Sequence, residues 1–276
     1  MPLILLHLIA AALYAGLALR FWRTRWRGPA LDRPNHGLLP WERASLLAVL
    51  LLHGFLLIDD IFPAGAMRFG FSAAASMIVW LAIALYWIES IYARMDGLQM
   101  LGLPLAAVCV MLPTVFPGTH LLVHADSPIF RAHFLVAMLA YSLFTLAALH
   151  AILMAAAEKR LHRGRLTPFL AGLPPLMTME ALLFRLIHIA FGLLTLTLAS
   201  GVLFSEALFG KALAFNHKTV FAIISWIIFA HLLAGRHLRG WRGRKALRWT
   251  MAGFAALVLA YVGSRFVLEV ILGRAV

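Results

Sequence analysis

The stretch Ala44-Ser-Leu-Leu-Ala-Val-Leu-Leu-Leu-His53-Gly-Phe-Leu-Leu-Ile-Asp59-Asp60-Ile61 decides how this chain folds. From Ala44 to Ile58 no side chain carries a fixed charge. The run approaches the ~20 residues a helix needs to cross the hydrocarbon of a bilayer. Lipid offers no water to backbone N–H and C=O groups, so such a segment must satisfy them internally, as a helix. His53 interrupts the apolar character well inside the run. Ionisable groups at that depth are costly, and each is a candidate for function.

Working outward from 44–61, apolar runs recur at 2–20, 70–93, 98–117, 130–156, 178–205, 216–235 and 248–272. The pattern predicts an all-α fold, a polytopic transmembrane helix bundle of about eight spans. The span 98–117 holds Pro104 and Pro113, which membrane helices tolerate where neighbours supply the lost hydrogen bonds. Of the 276 residues 63% are hydrophobic and 13% charged, with mean hydropathy +0.91. A soluble domain carries roughly 25% charged residues and could not cover this much apolar surface. No connection is long enough for a soluble domain, so the chain reads as one membrane domain, residues 1–276, with its core bundle over about 44–272. Met1 to Leu19 has neither the basic start nor the cleavage site of a signal peptide and reads as a retained first span. Cys109 is the single cysteine, which excludes an internal disulfide and a CxxC motif.

The formal charge is +13. Its basic residues cluster in three connections: Arg20 to Arg43, Lys159 to Arg165 and Arg236 to Lys245. In short loops between spans such clusters orient the chain, with the basic loops in the cytoplasm and both termini periplasmic. The expected surroundings are lipid and not nucleic acid. Trp22, Trp26, Trp41, Trp241 and Trp249 sit where interfacial anchors belong. The connection 117–130 is amphipathic and reads as a short external lid.

Histidines dominate the polar residues of the spans. His53 and His188 lie at matching depth, roughly 12–15 Å from the cytoplasmic ends of their helices. His133 and His217 open their helices at the external boundary; His150 and His231 lie further along the same two. Neutral imidazoles paired at one level suit the axial positions of a haem iron. The candidate metal ligands are therefore His53, His188, His133 and His217. Arg185 stands ready for haem propionates at the inner level, and Arg131, Lys211 and Lys218 at the outer one. The alternative is that each histidine only hydrogen-bonds a neighbouring helix. His7, His120 and His124 read as external surface, and His36, His162 and His237 as parts of basic loops. Glu180 and Glu269 sit near span ends, and Arg265 is placed to pair with Glu269. Neither HExxH nor GxSxG occurs.

Three stretches carry a family likeness: Arg131-Ala-His133-Phe-Leu-Val-Ala-Met-Leu-Ala-Tyr141-Ser; Phe184-Arg185-Leu-Ile-His188-Ile-Ala-Phe-Gly; and Asn216-His217-Lys218-Thr219-Val-Phe-Ala-Ile-Ile-Ser-Trp226, followed by Gly240-Trp-Arg-Gly-Arg-Lys245 and Tyr261-Val-Gly-Ser-Arg265-Phe-Val-Leu-Glu269. They resemble the cytochrome c assembly family, the CcsA, CcmC and HemX group, and look most like its YpjD inner-membrane branch. The resemblance implies a haem-binding bundle in a bacterial inner membrane. It also implies an inner histidine pair, matched in placement by His53 and His188, and an outer ligand matched by His133. The tryptophan-rich segment that presents haem in CcsA and CcmC is missing between residues 203 and 215, as is a second outer histidine before the last helix.

The expected function is non-catalytic: binding haem b and handling or transporting it for cytochrome maturation or haem homeostasis, with other maturation proteins as partners. Two alternatives are a b-type membrane cytochrome carrying electrons and a non-haem accessory membrane protein.

Overall fold

The computed structural model describes residues 2–26, 37–63, 67–92, 97–117, 127–163, 173–205 and 217–273. Among them there are helices and no strand. Seven helical segments are long and apolar enough to cross a membrane. They are α1 (Pro2–Phe21, running on as a π turn Trp22–Trp26), α2 (Pro40–Ile61), α3 (Phe71–Tyr92), α6 (Pro128–His162), α7 (Leu176–Leu203), α8 (His217–Arg239) and α9 (Gly243–Ile271).

The expected span 98–117 is instead two short helices, α4 (Gln99–Cys109) and α5 (Leu112–Val115). Pro113 explains the break. It has no N–H to donate, and its ring would collide with the carbonyl four residues back, that of Cys109, where α4 stops.

Helices α1 and α2 pack antiparallel along a seam with polar contacts at both ends and in the middle. His7 Nδ1 donates to the Val110 carbonyl at 2.7 Å, while its Nε2 lies 3.5 Å from Asp60. One heptad further along α1 and one heptad back along α2, Tyr14 meets His53 at 3.2 Å. At the far end Arg25 grips Glu42 with two nitrogens, at 2.7 and 3.3 Å. Buried Ala10, Ala18 and Phe21 on α1, and Leu57, Val49 and Leu46 on α2, hold the intermediate places of this register. His7 is thus a buried residue and not external surface.

Helix α6 is the centre of the molecule and is buried along most of its length. It packs on α3, α7 and α9, and α8 packs on α9 and more lightly on α7. Phe144 of α6 stacks on Phe229 of α8 at 4.0 Å between ring centres. Helix α8 continues to Arg239, and Gly240, at φ 62°, supplies the left-handed turn that reverses the chain into α9. Trp241 then folds back onto α8, where the missing Cβ of Gly235 makes room for its ring.

Candidate histidine sites on helices α2, α6, α7 and α8

His53 sits at the α1–α2–α3 junction, 1% exposed. Its Nδ1 meets the Tyr14 hydroxyl at 3.2 Å and its Nε2 the Ser76 hydroxyl at 2.9 Å. Both ring nitrogens are engaged. The structure does not bring His53 to His188, because α2 packs on α1 and α3 whereas α7 packs on α6 and α8. Matching depth is a measure along the membrane normal and does not decide which helices are neighbours.

His188 has a different partner. Its Nδ1 is 2.7 Å from the Phe184 carbonyl, which can only accept, so Nδ1 carries the proton and Nε2 the lone pair. Its Nε2 lies 3.2 Å from Nε2 of His237 on α8, with the two rings at 71°. Both histidines are exposed on the outside of the bundle and not in its core. Arg185, also exposed, lies one turn towards the basic end of the molecule and within electrostatic reach of Glu89. Arg236, next to His237, lies over the Phe184 ring at 4.6 Å and binds Glu180 at 2.7 Å. Glu180 also takes Arg242 at 2.8 Å and is buried as a junction of α7, α8 and the start of α9.

At the other end, His133 of α6 reaches α7. Its Nδ1 lies 2.7 Å from Ser200 Oγ, and that hydroxyl donates to the Thr197 carbonyl at 3.1 Å. A hydroxyl has one hydrogen, so His133 donates from Nδ1 and keeps its lone pair on Nε2. Ser200 is 12 residues beyond His188, about 18 Å along α7. His217 is exposed at the start of α8, and Arg131 is exposed in the first turn of α6. Lys218 is half-buried within electrostatic reach of Arg265 and Glu269. Arg265 pairs with Glu269 at 3.5 Å, and Glu269 also accepts from the Phe71 N–H at 3.0 Å. Lys211, His36, His120 and His124 lie outside the described residues, as does most of the 203–215 segment.

His237, Ser200, Tyr14 and Ser76 escaped the sequence reading. The apolar pattern stops at residue 235, which leaves His237 in a loop, whereas the helix runs to Arg239. The next helix breaker is Gly240, and that was the signal for a longer helix. His231 is exposed with its ring edge against Trp241 and Trp249, at 4.9 and 4.8 Å. His150 is buried in α6.

The model of the family described as cytochrome C assembly protein matches residues 41–272. This chain belongs to the cytochrome c assembly protein family. Inner membrane protein YpjD of Escherichia coli K12 is 28% identical over 248 residues, covering 88% of this chain and 92% of YpjD. Cytochrome c biogenesis protein CcsA of Gloeobacter violaceus is 30% identical over 92 residues, 33% of this chain and 27% of CcsA. CcsA of Prochlorococcus marinus MIT 9303 is 34% identical over 85 residues, 31% of this chain and 27% of CcsA. No solved structure matches the chain. With its seven long apolar helices and its likeness to YpjD, this family member is a multi-pass inner-membrane protein.

Such a family implies involvement with haem, and the donor atoms can be tested for it. At His53 both nitrogens meet hydroxyls inside a closed helix junction, where the ring is buried on every side. At His188 and His133 the donor atoms fit. In each, Nδ1–H is anchored to an oxygen, the arrangement that orients metal-binding imidazoles, and at His188 the Nε2 faces that of His237.

Proposed function

We propose that this protein binds haem b non-covalently and handles it within the inner membrane for cytochrome maturation or haem homeostasis. One observation carries the reading. Helix α7 is met by a tautomer-fixed histidine lone pair at two levels, His188 on the helix itself and His133 against Ser200. The names of the CcsA relatives, cytochrome c biogenesis proteins, support the same chemistry.

With the basic loops in the cytoplasm, His188 and Arg185 form the inner level. His133 forms the outer level, with His217, Arg131 and Lys218 at the same end of the bundle. His188 would hold haem at the inner level and His133 at the outer level, each supplying an imidazole nitrogen to the iron. The other maturation proteins of the membrane are its expected partners. His53 acts in helix packing.

Titration of the purified full-length protein in detergent with ferric haem tests this. A saturable Soret band that weakens in both His188→Ala and His133→Ala is the expected result. Absence of any Soret band in the wild type overturns the reading. Haem that stays bound through purification and is reduced by quinol identifies an electron carrier instead.

A further inference from the structure

We propose that His188 and His237 are the two inner-level ligands of haem iron, in a port that opens sideways to the lipid of the basic-end leaflet. The proposal rests on the haem reading above and names its inner site.

Four observations converge. The two Nε2 atoms face each other at 3.2 Å from adjacent helices. Two axial imidazoles on one iron need about 4 Å between these atoms, at about 2 Å per metal–nitrogen bond, so side-chain motion of under about 1 Å separates them enough. His188 presents its lone pair because the Phe184 carbonyl holds the Nδ1 proton. His237 has only to carry its proton on Nδ1 to present a second one, a change of tautomer within the same neutral ring.

Next is exposure. Both imidazoles, Arg185 and Ile189 lie on the outside of the bundle. An imidazole facing acyl chains is unfavourable unless something polar meets it. Here each ring is met by the other, and a flat apolar porphyrin approaching through the leaflet would displace only that one hydrogen bond. The lightly packed α7–α8 contact is where such a plane can enter without opening the core.

Third, the wall above the pair is aromatic. Phe191 of α7 stacks on Trp226 of α8 at 5.6 Å, and the Trp226 N–H donates to Thr195 at 2.9 Å. Finally, the cations lie on one side only. Arg185 precedes His188 by a turn towards the basic end, and the Arg236 guanidinium, bound to Glu180, lies over Phe184 at that same level. A macrocycle between the rings would rest its apolar edge towards Phe191 and Trp226 and its two propionates towards these guanidiniums.

The experiment compares full-length wild type with His188→Ala, His237→Ala, His237→Met and His53→Ala in detergent, each titrated with ferric haem and read by visible and EPR spectra. The proposal expects a low-spin bis-imidazole signal in the wild type and in His53→Ala. His188→Ala and His237→Ala should give a high-spin signal and at least tenfold weaker binding, with 10 mM imidazole restoring the low-spin form. His237→Met should stay six-coordinate with a shifted Soret band. Imidazole rescue separates a lost ligand from a misfolded variant. A wild type that binds no haem overturns the haem reading itself. Low-spin haem that survives both alanine substitutions overturns only the assignment of His188 and His237, as does tight zinc binding by the pair with haem seated elsewhere.

Discussion

At the scale of single residues, the histidines divide by what their nitrogens already do. His53 is held on both sides by hydroxyls inside a closed helix junction. Removing its ring strands the buried Tyr14 and Ser76 hydroxyls, and a stranded buried polar group costs about 1–3 kcal/mol. His53→Ala should therefore lower the melting temperature in detergent while leaving the Soret titration unchanged; a lost Soret band at full thermal stability would make His53 a ligand after all. Glu42 is wholly buried with Arg25 nearly so. Glu42→Gln leaves a guanidinium uncompensated, which for a buried pair costs about 3–5 kcal/mol. A variant as stable as the wild type by thermal unfolding would show that Arg25 finds water or another partner.

At the scale of elements, the α8–α9 turn depends on the absence of one side chain. A Cβ on Gly235 would collide with the Trp241 ring, which is itself buried and has Lys245 Nζ 3.6 Å above it. Gly235→Ala must push Trp241 out, at a cost of about 1–3 kcal/mol for overpacking. The expected result is a lower melting temperature with a red-shifted tryptophan emission. Helix α4 makes a complementary point. Its apolar run is legible in the sequence and its length is not, because an apolar run alone does not tell a tolerated proline from Pro113, which ends the helix at Cys109.

At the scale of the whole molecule, orientation and packing are separate questions. The positive-inside rule places the ends of α6 and α8 near Arg163 and Arg239 in the cytoplasm. Cys109 is buried, so introduced cysteines are read against a quiet background. Phe62→Cys, at the opposite end of α2, should react with a membrane-impermeant maleimide on intact cells, and Arg163→Cys only after the membrane is opened. The reverse pattern would invert the topology and, with it, the inner and outer levels. The packing adds what no topology contains: α6 at the centre, α1 and α2 joined by a heptad seam on one side, and α7 and α8 forming a lightly joined outer pair on the other.

The sequence by itself determined the rough limits of seven of the eight expected spans, the basic end, the membrane class and the family. These depend on composition along one dimension: apolar length set by bilayer thickness, and charge set by loop position. It also picked out His188 and His133, since an imidazole within a span is conspicuous wherever it points. Only the tertiary structure decided which imidazoles meet. His53 and His188 share a depth but sit on helices that are not packed together, while His188 and His237 are 49 residues apart and touch. Depth follows from counting residues at a fixed rise. Neighbourhood follows from side-chain packing around α6, which depends on all the helices at once.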